Sequence, residues 1–100
     1  MKVNVHAVNF AVDGKLVGFI QSRLDKMERY YDKVVSADVF LKVVKADDKE
    51  NKVAELKINV PGDGFMVKKQ CKSFEEAVEQ TSESVERLLV RRKEKVRTHS

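Results

Sequence analysis

Cysteine and histidine are scarce in this chain, and each shortage excludes a class of function. A single cysteine, Cys71, cannot form an internal disulfide, so a reducing, cytoplasmic setting is expected. It reads as a small buried hydrophobe, although Lys68, Lys69 and Lys72 nearby are the cations that a reactive thiolate would use. The histidines are His6 and His99. His6 falls on the outward face of the first strand and His99 in the tail, so neither stands as a base for a serine, threonine or cysteine nucleophile. No catalytic residue is expected. Membrane-length apolar runs and a signal-peptide pattern are missing, which predicts no membrane partner. Repeats, low-complexity tracts and linkers are missing too. The one acidic loop cluster, Asp47, Asp48 and Glu50, lacks the spacing and glycine of a calcium loop and reads as a solvated turn. Gly62 and Gly64 sit in a hairpin rather than opening a helix, so they cannot cradle a pyrophosphate. Neither a metal nor a cofactor is expected.

What remains is a chain of 100 residues, one domain over 1–100 with a flexible tail from about 97. At that length roughly 60 to 65% of the unfolded surface can be buried. Residues 2–8 alternate, with Val3, Val5 and Ala7 on one face, as in a half-buried strand. Asp13 caps a helix to about Tyr31 whose apolar positions Leu16, Ile20, Leu24, Met27 and Tyr31 share a face. A second strand, 36–45, points Ala37, Val39, Leu41 and Val43 inward and Asp38, Phe40, Lys42 and Val44 outward. A third, 53–60, buries Ala54, Leu56, Ile58 and Val60. Pro61 to Gly64 then reverses the chain, proline fixing φ and glycine accepting φ > 0. Residues 65–71 form an edge strand with Phe65, Val67 and Cys71 inward and Lys68 and Gln70 outward. The last helix, 73–97, opens with a capping box, Ser73 and Glu76. Its apolar stripe comprises Phe74, Ala77, Val78, Thr81, Val85, Leu88, Leu89 and Val96. The order β-α-β-β-β-α predicts an α+β fold, a four-stranded mixed sheet with both helices on one face.

The net charge of +4 is too mild to name a partner, but its distribution is uneven. On the last helix Gln80, Ser84, Arg87, Arg91 and Lys95 fall on one flank and Glu75, Glu79 and Glu86 on the other. Early glutamates and late cations suit the helix dipole. A dipole preference would spread the late cations around the helix, so their one-sided run asks for a phosphate. On the first helix Lys15, Ser22, Lys26, Arg29 and Lys33 align, with Phe19 and Tyr30 between them and the core. If the two flanks meet, they form a groove of cations for a phosphate backbone, with Tyr30 available to stack on a base. Arg92 and Arg97 read as tail charges beyond the sheet. No side-chain pattern for reading bases is evident, so backbone and shape recognition is expected.

The stretches LDKMERYYDKVVSADV, VAELKINVPG and SFEEAVEQTSESVERLLVRRKEK resemble the ribosome hibernation promoting factor family, also called protein Y or ribosome-associated inhibitor. The resemblance covers essentially the whole chain and implies the same β-α-β-β-β-α order. It implies a translation inhibitor of stationary phase and stress that binds the small ribosomal subunit, in free or 70S form, through 16S-type rRNA. The family occupies the channel of messenger RNA and of the A- and P-site transfer RNAs. Its RNA-facing positions fall on Arg23, Lys26, Arg29, Arg87 and Arg91, with Lys95 continuing the stripe. Ser84 stands where members often carry a lysine, and Lys68, Lys69 and Lys72 are the cations that compensate. The chain ends without the second domain of long members, so the resemblance is to the short form, expected to be a monomer off the ribosome.

Two rival readings stay open. A double-stranded RNA module has a similar core but places lysines at the start of its last helix, where this chain has Phe74, Glu75 and Glu76. A protein-interaction module would use an apolar patch of Phe40, Val44 and Val53 on the outer sheet face.

Overall fold

The computed structural model describes residues 1–98, with side chains through Lys93. The elements are β1 (Lys2–Ala7), α1 (Gly14–Glu28), β2 (Ser36–Val43), β3 (Lys52–Val60), β4 (Asp63–Cys71) and α2 (Phe74–Thr98). They form a four-stranded sheet in the order β1-β2-β3-β4. β1 pairs parallel to β2 through the α1 crossover, and the other two pairs are antiparallel. The fold is the expected α+β arrangement.

Each helix starts where its cap residue dictates. The Leu16 amide donates to Asp13 Oδ1 at 2.8 Å, and the Glu76 amide donates to Ser73 Oγ at 3.1 Å. The serine half of the capping box is thus formed, while the Glu76 carboxylate accepts from Gln80. α1 ends earlier than its periodicity suggests. The amides of Arg29 and Tyr30 tighten onto the carbonyls of Lys26 and Met27, closing the last turn with short-range bonds so that the chain can drop into β2.

The core lies between helices and sheet. Leu16, Ile20, Leu24 and Met27 of α1 and Ala77, Val78, Val85 and Leu89 of α2 close over Val39, Leu41, Leu56 and Ile58. Each large side chain buried there contributes about 1.5–3 kcal/mol. Val43, expected inward, is 51% exposed. β1 ends opposite Leu41, so no β1 residue pairs with Val43. The Pro61–Gly62 turn is as expected, with Gly62 at φ 74° in a hairpin pairing Val60 with Asp63.

Ser82 is buried, with its Oγ lacking a hydrogen-bond partner among the described residues. An orphaned hydroxyl costs more than the apolar group that would replace it, and alanine is the better helix former. Ser82→Ala should therefore raise stability by about 1 kcal/mol, read as a higher denaturation midpoint at unchanged m value. A loss of stability would mean that the hydroxyl is satisfied after all.

Candidate nucleic-acid interface

The helices run side by side in the same direction. Phe10, before α1, stacks on Phe74 at the start of α2, with ring centroids 5.1 Å apart. Midway, Arg23 meets Glu79 and Glu86. At the far end Tyr30 shares a depression with Arg87, Val90 and Arg91.

Arg23 is 8% exposed. Its Nε donates to Glu79 Oε2, and its Nη1 and Nη2 donate to the two oxygens of Glu86, all at 2.9 Å. The Glu86 hydrogen bond raises the guanidinium pKa further above its ordinary value, against burial, which pulls it down. With its planar fork filled by carboxylates, Arg23 is committed to internal acceptors rather than presented to solvent, unlike the exposed cations among which the sequence placed it.

These bonds also show which flank of α2 faces α1. It is the acidic one. At about 100° per residue, the stripe of Gln80, Ser84, Arg87 and Arg91 lies further round. Arg91, with Leu88, lines a second depression beside Phe65 and Asp63 at the β4 edge. The two basic stripes are therefore not facing walls of a groove. They border a seam whose acidic groups are Glu79, Glu83 and Glu86.

Lys26, Arg29, Arg87 and Arg91 are all exposed; Arg87 and Arg91 share the depression with Tyr30, and Lys26 and Arg29 come shortly before Tyr30 in the chain. Arg87 Nη2 donates to Ser84 Oγ at 3.1 Å, so the serine steadies an arginine rather than leaving a gap. The Lys95 side chain, expected to continue the stripe, lies outside the described residues, as do those of Val96 and Arg97; His99 lies outside them entirely.

The remaining lysines are scattered. Lys68 pairs with Glu55 and Lys69 with Ala54, which places them on opposite faces of β4: Lys69 toward the helices, Lys68 away from them. Lys72 is exposed just before α2, about 20 Å from Arg87 at a rise of ~1.5 Å per residue. One surface cannot collect all three with the arginines. Cys71 is buried; burial foremost, then Glu76 and Glu50, pushes its thiol pKa up against the opposing effect of Lys69. A reactive thiolate needs the reverse.

Arg92 is not a tail charge. Its Nη1 donates to Asp63 Oδ2 at 2.8 Å, its Nη2 to the Pro61 carbonyl at 3.1 Å and its Nε to the Tyr31 hydroxyl at 3.4 Å. It clamps the hairpin turn to α2 and to the segment that follows α1. Its position one turn after Leu88 and Leu89, toward the core, was the available signal.

On the outer sheet face Phe40 and Val53 line one depression with Val8, Lys42, Glu55 and Met66, although little of Val53 itself reaches the surface. Val53 is 1% exposed and is flanked in register by Lys42 and Gln70. Gln70 is fixed by a 2.6 Å bond to the Glu50 carbonyl. Phe40 stacks on His6 at 4.7 Å. Among the described residues no group of three or more His, Cys, Asp or Glu is placed to hold a metal ion, and no helix is long and apolar enough to cross a membrane.

A four-stranded sheet of order β1-β2-β3-β4 with one helical layer and exposed cations on both helices defines a small α+β module. The chain belongs to the sigma 54 modulation protein / S30EA ribosomal protein family, which it matches over residues 3–97. Among its relatives is a ribosome hibernation promoting factor of Pseudomonas putida, 24% identical over 95 residues, spanning 95% of this chain and 89% of the relative. Two solved structures share the fold. A ribosomal subunit interface protein from Coxiella burnetii has a TM-score of 0.82 at 13% identity, covering 93% of this chain and 98% of that one. The N-terminal domain of Thermus thermophilus Protein Y has a TM-score of 0.78 at 21% identity, covering 91% and 98%.

Proposed function

We propose that this protein is a ribosome hibernation factor that binds the small ribosomal subunit, alone or within the 70S particle, through 16S-type rRNA phosphates. Seated there it fills the channel of messenger RNA and of the A- and P-site transfer RNAs and silences translation without chemistry. Membership of the S30EA family and the name of the Pseudomonas relative support the ribosome as partner. The observation that carries the mode of binding is the division of labour among the arginines. Arg23 and Arg92 are held by internal acceptors, whereas Arg87 and Arg91 are exposed around a depression that Tyr30 also lines, and Lys26 and Arg29 are exposed too. Exposed cations on a rigid helix layer neutralise phosphates without first breaking internal ion pairs. The double-stranded RNA reading is disfavoured by Glu75 and Glu76 in the first turn of α2, where a phosphate would be repelled. The protein acts as a monomer off the ribosome and without a cofactor. A sucrose gradient of stationary-phase lysate, probed for this chain, should place it with small subunits or 70S particles. Its confinement to the ribosome-free top at physiological salt would overturn the reading.

A further inference from the structure

At the end of the helix seam, Tyr30, Glu83, Glu86, Arg87, Val90 and Arg91 line an open depression of about 460 Å³. Its chemistry is mixed in a way that a phosphate surface alone does not explain. Tyr30 and Val90 are 50% and 42% exposed, an apolar platform beside two arginines. Glu86 is already neutralised, since both its oxygens accept from Arg23. Glu83 is different. It is exposed, lies one turn before Arg87, and has no hydrogen-bond partner among the described residues. A carboxylate there repels phosphate and can only accept hydrogen bonds.

We infer that this depression is a pocket for an unpaired guanine nucleotide, with the base stacked on Tyr30 against Val90, its donors on Glu83 and its phosphate between Arg87 and Arg91. The inference rests on the ribosomal RNA reading and specifies one subsite within it. Guanine is singled out by donor geometry. Its Watson–Crick edge offers two adjacent N–H donors, N1–H and the N2 amino group, matched to the two oxygens of a carboxylate. Adenine and cytosine set a ring-nitrogen acceptor beside their amino group, and uracil flanks its N–H with carbonyls. Each would point an acceptor at Glu83. Stacking alone tolerates any base, so the carboxylate supplies the choice. Ser84, by accepting from Arg87 at 3.1 Å, steadies one of the two guanidinium groups that hold the phosphate.

The test is an NMR titration of the intact protein with guanosine monophosphate and, separately, adenosine monophosphate. The guanine nucleotide should shift the Tyr30 ring and the Glu83 and Val90 amides with a millimolar dissociation constant, about tenfold tighter than the adenine nucleotide. Glu83→Gln should weaken guanosine monophosphate about tenfold while binding adenosine monophosphate no more weakly than the parent, a selective loss that unfolding cannot mimic. Tyr30→Phe should bind as the parent does, and Tyr30→Ala about tenfold more weakly. Equal affinity for the two nucleotides, no movement at Tyr30 with either, or an E83Q variant that binds both more tightly would overturn the pocket. Such a result with ribosomal co-sedimentation intact removes the guanine site alone. A guanine preference without co-sedimentation keeps the pocket and sinks the ribosomal reading.

Discussion

Arg23→Met should destabilise the fold by about 3–5 kcal/mol, because it leaves carboxylates stranded against a helix interface. The arm to Glu86 matters most. That side chain is 16% exposed and bidentate, whereas Glu79 is 43% exposed and screened by solvent. Glu86→Gln should therefore cost more than Glu79→Gln. A variant that replaces Arg23 and Glu86 together by apolar residues of similar size should recover much of the loss, since desolvating the ions offsets most of what the pair contributes. Urea denaturation of the single and combined variants measures the coupling. A midpoint for Arg23→Met within about 0.5 kcal/mol of the parent would show that the pairing carries little. A second readout separates structure from RNA contact: below its melting temperature, Arg23→Met should still bind small subunits with nearly parental affinity. A large loss of binding in the folded variant would return Arg23 to the RNA-facing set.

That reassignment shows what the sequence could and could not disclose. Hydrophobic periodicity gives the direction in which a helix buries itself, and it located α1 through Leu16, Ile20, Leu24 and Met27 and α2 through Val78, Val85 and Leu89. Caps at Asp13 and Ser73 and the turn at Gly62 were legible because single residues enforce them. Periodicity does not say which flank of a helix meets its neighbour. The acidic and basic flanks of α2 are equivalent until the sheet sets the order of the helices, so whether the basic stripes would face each other could not be read. Arg23 and Arg92 misled for a related reason. Both stand at core-facing helical positions, three residues after Ile20 and Leu89, yet a cation reads as exposed unless its acceptors are known. Those acceptors, Glu86 and Asp63, lie 63 and 29 residues away. Val53 failed in the opposite sense: expected at the surface, it is 1% exposed in a central strand with a partner on each side, a pairing that only the sheet order reveals.

Reversing the charge of Arg87 and Arg91 together, by Arg87→Glu and Arg91→Glu, should weaken small-subunit binding by about a hundredfold or more, each lost charge-assisted contact being worth roughly 1.5–3 kcal/mol. Both side chains are exposed, and the Arg87 bond to Ser84 is an exposed contact, so the fold should be nearly unaffected. The salt dependence is more diagnostic than the affinity. Removing two phosphate contacts should make the plot of log affinity against log salt shallower by about two units. The opposite sheet face provides the control. Lys68 stands away from the helices, so Lys68→Glu should change affinity by no more than about twofold and leave the salt slope nearly as it was. Co-sedimentation at several salt concentrations measures all of these. If the double arginine variant stays on the ribosome at physiological salt, or Lys68→Glu weakens binding as much, the helix layer is not the surface that meets the RNA.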